Sequence, residues 1–374
     1  MSFKYEAFIL ASYLDTIGFL NGFMEFNELY HKSPSYSVSG MYTHLTNIME
    51  FFKIGGFNLD LKLYKASDDT ILNIANGKVL IKDKFTINDF IDSYLNYFDT
   101  LISDERISGL TIVKSLKNLK KVRSPSVIEY DETSLGNGAV MRSCIFGLKY
   151  HYKKDLDILN KWVIDTSKLT HNNMESYISS LIVAIFTSMA IHKVPPIYWL
   201  TEIESIKKDI KFKSEKELNI FNNIIENLEY LHSETVIFIS SYDYKKNIRI
   251  PFINYEIIYN VINVKKNYIK KNIFNIGGIS QDLIYMSYYI LLNSITIKKE
   301  SLKKIKNNTI TVDDIQPNFM YLFINSSLSY GDSDTIGTVC GFWYGALFGF
   351  KDVPNINFKD LEFYKDIKYI TSNI

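Results

Sequence analysis

Gly331-Asp332-Ser333-Asp334-Thr335, running straight into Ile336-Gly337-Thr338-Val339-Cys340-Gly341-Phe342-Trp343-Tyr344-Gly345, decides how this chain is read. Two carboxylates and two hydroxyls fill positions 332–335, and an apolar run begins at once. Glycines recur at Gly337, Gly341, Gly345 and Gly349. A four-residue spacing places them on nearly one face of a helix. Each interior glycine costs about 1 kcal/mol relative to alanine, so a row of them needs a packing reason. Close approach of another helix backbone is such a reason. The stretch therefore predicts an acidic, hydroxyl-rich helix start held at the centre of a helical domain. Taken alone, capping is the commoner explanation of Asp332 and Asp334, because Asp, Ser and Thr are ordinary N-cap and first-turn residues.

A second stretch of the same kind, Ser67-Asp68-Asp69-Thr70, opens the apolar run Ile71-Leu72-Asn73-Ile74-Ala75. Within them, hydroxyl-Asp-Asp at 67–69 and Asp-x-Asp-Thr at 332–335 supply four carboxylates and two side-chain hydroxyls, those of Ser67 and Thr335. If the two helix starts face one another, like charges repel strongly in a partly buried site. Either the carboxylates protonate or a divalent cation neutralises them. Oxygen ligands without His or Cys select Mg²⁺, Ca²⁺ or Mn²⁺ over zinc, and four carboxylates can hold two ions about 3.5–4 Å apart.

The rest of the chain sets bounds. With 374 residues, 47% hydrophobic and 15% aromatic, it is long enough for a large core, and a net charge of +1 gives no global reason to expect nucleic acid or a membrane surface as partner. Arginine occurs only at Arg106, Arg123, Arg142 and Arg249, which draws notice to Arg142 inside a glycine-rich motif. Cys144 and Cys340 lie in apolar runs and read as buried, unpaired thiols of a reducing compartment. The N-terminus lacks a basic n-region and cleavage site, and the longest apolar run, Tyr177 to Ile191, is too short to span a bilayer. A soluble, intracellular monomer is expected.

Helical periodicity runs from Tyr5 to Phe26, with Asp15 and Glu25 the only acids after Glu6. Residues 27–66 are mixed. Phe85 to Leu101 reads as one helix capped by Thr86, 102–133 as irregular with a lysine-rich solvated surface at Lys114 to Lys121. Ser134-Leu135-Gly136-Asn137-Gly138-Ala139-Val140-Met141-Arg142 feeds a helix from Ser143 to Tyr150, and a further helix covers Asp155 to Thr166. Thr170-His171-Asn172-Asn173 caps a long buried helix ending near His192. Ile203 to Leu231 reads as an exposed helix, 234–272 as short strands or loop, and Gly277-Gly278-Ile279-Ser280-Gln281-Asp282 precedes a helix from Leu283 to Leu292. A last helix is expected from Val312 to Ile324. No repeat or composition break appears, so residues 1–374 read as one domain.

In this order the motifs resemble the ADP-ribosylglycohydrolase family, and within it the ADP-ribosylarginine hydrolases. The resemblance rests on Phe8 to Phe26, SDDT at 67–70, GNGAVMRSCIFGL at 136–148, Thr170-His171 and GDSDT with its glycine helix at 331–350. It implies an all-α orthogonal bundle with a central binuclear Mg²⁺ centre, acting on ADP-ribosylated protein and releasing ADP-ribose. By position, Ser67, Asp68 and Asp69 would ligate from one side and Asp332, Asp334 and Thr335 from the other. Asp68, Asp69 and Glu25 would be catalytic. Gly136, Asn137, Gly138, Ala139, Met141 and His171 would approach the diphosphate and distal ribose, and Gly277, Gly278, Ser280 and Asp282 the adenosine end. An arginine linkage is the first expectation; a serine or O-acetyl linkage, or a non-catalytic ADP-ribose binder, is the alternative. Leu14, Asn173 and Met174 depart from the family pattern.

Overall fold

The computed structural model describes residues 3–25, 36–103, 106, 108–240, 252–263, 276–305 and 307–374. Its first half carries α1 (Lys4–Phe19), α2 (Tyr36–Lys53), α3 (Asp68–Leu80), α4 (Ile87–Asn96), α5 (Phe98–Leu101), α6 (Leu110–Lys121), α7 (Cys144–Lys149), α8 (Leu156–Ser167) and α9 (Met174–Ile191). The second half carries α10 (Trp199–Ile206), α11 (Glu215–Ser240), α12 (Tyr255–Asn263), α13 (Ser280–Asn293), α14 (Leu302–Ile305), α15 (Phe319–Ser326), α16 (Ser333–Phe348) and α17 (Tyr364–Asn373). The only sheet among the described residues is an antiparallel pair, β1 (Ile295–Ile297) with β2 (Ile315–Pro317). The fold is all-α, as the sequence implies.

Packing of α1 against α16 forms the axis. Both are buried on every side, α1 from Ala7 to Phe19 and α16 along its whole length. A helix apolar all round belongs in a core. The glycine row is what lets their backbones touch. A Cβ at Gly337 would lie 2.8 Å from the Leu14 carbonyl oxygen, at Gly341 2.6 Å from Ala11 Cα, and at Gly345 2.5 Å from Ala7 Cα. Gly349 is different: it ends the helix with φ +62° and faces the Phe3 ring. From the other side, Gly18 admits the start of α16, since a Cβ there would meet Asp334 N at 2.5 Å. The apolar run of α9 is long enough to cross a membrane by length and composition, but 89% of it is buried inside this fold. Cys144 and Cys340 are buried and unpaired.

Several expected elements come out otherwise. Residues 85–101 form two helices, broken after Asn96, with Thr86 and Asp89 making the capping box of α4. The lysine-rich part of 102–133 is helix α6, whose Ile112, Ser115, Leu116 and Leu119 are buried; the lysines merely occupy its outer face. Val312 to Ile324 is interrupted by β2, because Pro317 cannot continue a helix, and α15 starts afresh with Asn318 accepting from Tyr321 N at 2.8 Å. Within 234–272, α11 extends to Ser240 and α12 is helical, while 241–251 and 264–275 lie outside the described residues. Residues 36–53, read as mixed, are helix α2. Its buried face carries Thr43, His44 and Asn47 beside Phe51, so no wide inward apolar stripe marked it.

Candidate active site

The first acidic turn opens α3. Ser67 is its N-cap, and its Oγ accepts from Asp69 N at 3.1 Å. Asp15, in the middle of α1, grips the same turn from outside. Its carboxylate accepts from Ser67 N at 3.2 Å, Thr70 N at 3.3 Å and the Thr70 hydroxyl. The second turn opens α16. Gly331, at φ +112°, lets Asp332 N reach Ile276 O at 2.9 Å, and Ser333 Oγ donates to Gly18 O at 2.8 Å. The two turns meet: Thr335 Oγ1 donates to Asp69 Oδ2 at 3.1 Å, beside Ser67 Oγ on the same oxygen at 3.1 Å.

This meeting gathers carboxylates into two groups. Asp15, Asp69 and Asp334 form one, and Glu25, Asp332 and Asp334 the other, with oxygens in each lying within 4.8 Å of one another. Asp334 belongs to both. Burial, and then the neighbouring carboxylates, hold Asp69, Asp334 and Glu25 well above the ordinary range. Burial pushes Asp15 up to about 6 against hydrogen bonds from Ser67 and Thr70, and Asp68 up to about 7. Asp68 stands outside both groups, with Oδ2 taking Gly109 N at 3.4 Å. Asp69 Oδ1 and Asp332 Oδ1 are buried without a hydrogen-bond partner. An unpaired buried carboxylate oxygen is costly, and two of them on residues of an all-oxygen cluster fit a divalent cation.

The glycine-rich loop lies against the second turn. Asn137 Nδ2 donates to Asp332 Oδ2 at 2.9 Å and to Gly277 O at 2.8 Å, and Asn137 N donates to Gly278 O at 3.2 Å. Gly136 pairs with Ile279, and Ser280 Oγ donates to Gly136 O at 2.7 Å. The 136–141 and 277–282 segments are thus one continuous surface, with the Ala139 and Met141 side chains buried beneath it. A Cβ at Gly138 would meet His171 Cε1 at 2.7 Å, and one at Gly136 would meet Nε2 at 3.2 Å, so these glycines also make room for the imidazole. His171 is buried, and burial, with the Arg142 charge, pushes it down to about 3, so the ring is neutral. Beside this surface is a cavity of about 800 Å³, bordered by Leu135, Asn173, Ile279, Asp282 and Tyr285.

The family model of the ADP-ribosylglycohydrolases matches residues 15–245. The chain belongs to this family. Its reaction is hydrolysis of ADP-ribose linkages. The chain is 26% identical to "ADP-ribosylhydrolase ARH1" of Dictyostelium discoideum, over 98% of its own length and 92% of the relative's. It is also 26% identical to a putative ADP-ribosyl glycohydrolase of Acanthamoeba polyphaga mimivirus, over 97% of its own length and 67% of that protein's. A solved structure titled "ADP-ribosylglycohydrolase-related protein complex" shares the fold, with TM-score 0.57 at 14% identity, covering 99% of this chain and 97% of that one.

Within this ADP-ribosylglycohydrolase, two of the three departures from the family pattern have local accounts. Leu14 sits where its carbonyl meets Gly337 of α16. Asn173 caps α9, accepting from Glu175 N at 2.8 Å while its Nδ2 donates to Asp131 O at 3.0 Å. Arg142 is a clamp for the loop: Nε donates to Tyr94 OH at 3.1 Å, Nη2 to Thr166 O at 3.0 Å and Thr170 Oγ1 at 2.8 Å, and Nη1 to Gly138 O.

Three contributors escaped sequence reasoning. Asp15 had a signal, a lone acid within a wholly buried helix. Gly109, whose N–H reaches Asp68, had none. Arg106 had none either: Nε donates to Ala66 O at 3.0 Å, and Nη2 to Glu362 Oε2 at 2.7 Å, while Ala66 N donates to Glu362 Oε2 at 3.0 Å. Its partners lie 40 and 256 residues away.

Proposed function

We propose that the protein hydrolyses the N-glycosidic bond between ADP-ribose and arginine on ADP-ribosylated proteins, releasing ADP-ribose, with two Mg²⁺ ions at the acidic cluster. The observation that carries this is the pair of carboxylate groups sharing Asp334, with Asp69 Oδ1 and Asp332 Oδ1 left unbonded. In this reading Ser67, Asp68, Asp69, Asp332, Asp334 and Thr335 hold the ions, and Asp15 braces the α3 turn while adding an oxygen to the first group. When bound, divalent cations neutralise the carboxylates, hold the distal ribose hydroxyls and make a water more acidic.

Two hydroxyl donors fix the Asp69 carboxylate, and in this reading Asp69 orients the attacking water and takes its proton. The water oxygen bonds to C1″, the bond to the guanidine nitrogen breaks, and that nitrogen leaves as a neutral guanidine carrying the proton that Asp69 took from the water. Positive charge developing at C1″ is offset by Asp68 and Glu25. The surface built from Gly136 to Met141 brings backbone N–H groups toward the diphosphate, with neutral His171 behind it, and Gly277 to Asp282 faces the adenosine end. The arginine linkage rests on the resemblance of the motifs to the ADP-ribosylarginine hydrolases.

Asp69→Ala and Asp68→Ala are expected to abolish release of ADP-ribose from ADP-ribosylarginine substrates, with circular dichroism unchanged. Turnover retained in the purified double mutant rejects the assignment. Arginine-, serine- and O-acetyl-linked substrates assayed side by side decide the linkage.

A further inference from the structure

Helix α2 turns polar groups as well as Phe51 inward, and an apolar row outward. Inward, His44 Nε2 donates to Ile324 O at 2.8 Å, and Asn47 Nδ2 donates to Leu328 O at 3.3 Å and Ser329 O at 3.2 Å. Outward, it presents Met41 (43% exposed), Tyr42 (57%), Leu45 (37%), Met49 (70%) and Phe52 (51%). The inward hydrogen bonds fix the rotation of the helix, so the apolar row cannot turn into the core without leaving buried polar groups unpaired. A contiguous exposed apolar row of this kind marks an interaction surface.

We propose that this row seats a second copy of the chain, with α2 packed antiparallel on α2 about a twofold axis. Tyr42, Leu45, Met49 and Phe52 are spaced three, four and three residues apart, the alternation of a helix-pair seam. That spacing reads the same in both directions. Turned end for end, Tyr42 therefore meets Phe52 of the second copy and Leu45 meets its Met49. Such self-complementarity is what a twofold interface requires. The row itself carries no charge, and the flanking Glu50 and Lys53 pair with each other at 3.2 Å, so two copies meet without like-charge repulsion. Side chains of this size present about 200 Å² each when free. At about half exposure, five give on the order of 500 Å² per copy and about 1,000 Å² per pair, the lower edge of a specific interface. The inference is independent of the catalytic reading.

Sedimentation equilibrium of the full chain, from low to high micromolar concentration, tests it. The expected result is a mass rising toward twice 43.5 kDa. Met49→Glu should weaken association at least about tenfold by burying an unpaired carboxylate, and Met49 is exposed enough for the variant to fold. Met49→Ser gives a milder loss of the same sign. A Leu45→Cys/Met49→Cys variant should form a disulfide-linked dimer under oxidation, with the native cysteines buried and silent. A single-chain mass at every concentration overturns the proposal. So does association unaffected by Met49→Glu, or a stable complex with a different protein while the purified chain stays monomeric.

Discussion

At the α3 turn, Ser67 Oγ holds Asp69 N and the Asp15 carboxylate holds two further N–H groups. At the α16 turn, Asp332 makes no side-chain cap bond, and α16 is seated instead by glycines at Gly337, Gly341 and Gly345 that press its backbone onto α1. The two turns carry nearly the same residues, yet the first is held mainly by side-chain bonds to its own N–H groups, and the second, besides the Ser333 and Asn137 bonds, by backbone proximity. Hydrogen bonds can be lost singly, at about 1 kcal/mol each. A backbone contact has no side chain that can move aside, so it fails as a unit.

Changing the backbone contact should therefore give the largest effect. Alanine normally gains about 1 kcal/mol over glycine inside a helix, but at Gly341 its Cβ would lie 2.6 Å from Ala11 Cα. Gly341→Ala is expected to destabilise by about 1–3 kcal/mol, read from urea denaturation; a neutral or stabilising result would show that α1 and α16 can separate at no cost. Asp15→Asn comes next. It should leave the fold standing and weaken Mg²⁺ binding about 10–100-fold, followed as the Mg²⁺ concentration that raises the melting temperature half-way. Smaller again is Ser67→Ala, which removes the cap at about 1 kcal/mol and sharpens the contrast if Asn137→Ala, on the other turn, changes Mg²⁺ affinity more than stability.

The smallest effect is one of pH. Asp15 at about 6 and Asp68 at about 7 are raised above their unfolded values. The stability they add to the cation-free protein is complete at acid pH and lost as pH rises through these values. His44 and His171, pushed down to about 4 and about 3, act oppositely and lose their contribution as pH falls below 6.5. In the difference between melting temperatures with and without Mg²⁺ the two imidazoles cancel. That difference should grow as pH rises from below about 6 to above about 7; a difference independent of pH would mean that protons and cations do not compete for these carboxylates.

Much of the fold was legible because the buried helices are apolar throughout and their caps are local. Ser67, Thr86 and Asn173 each act within three residues of themselves. Where a helix lacked a legible pattern the buried face is narrow or partly polar: α2 buries Thr43, His44 and Asn47 beside Phe51, and α6 buries Ile112, Ser115, Leu116 and Leu119 under its lysines. Within the acidic cluster, the residues clustered in sequence were visible. Asp15 was not, because a lone acid in a helix announces a site only once another helix start is known to lie beside it.

The sequence by itself determined two acidic helix starts, an all-oxygen donor set and a glycine row that demands a neighbouring backbone, since these follow from residue type and spacing. Only the tertiary structure decided that the neighbour is α1, that Asp334 is shared by two carboxylate groups, and that Asp15, Arg106 and Gly109 serve the α3 turn. Those depend on contacts across tens to hundreds of residues, and no local periodicity encodes the distance between two points that meet only after the chain has folded.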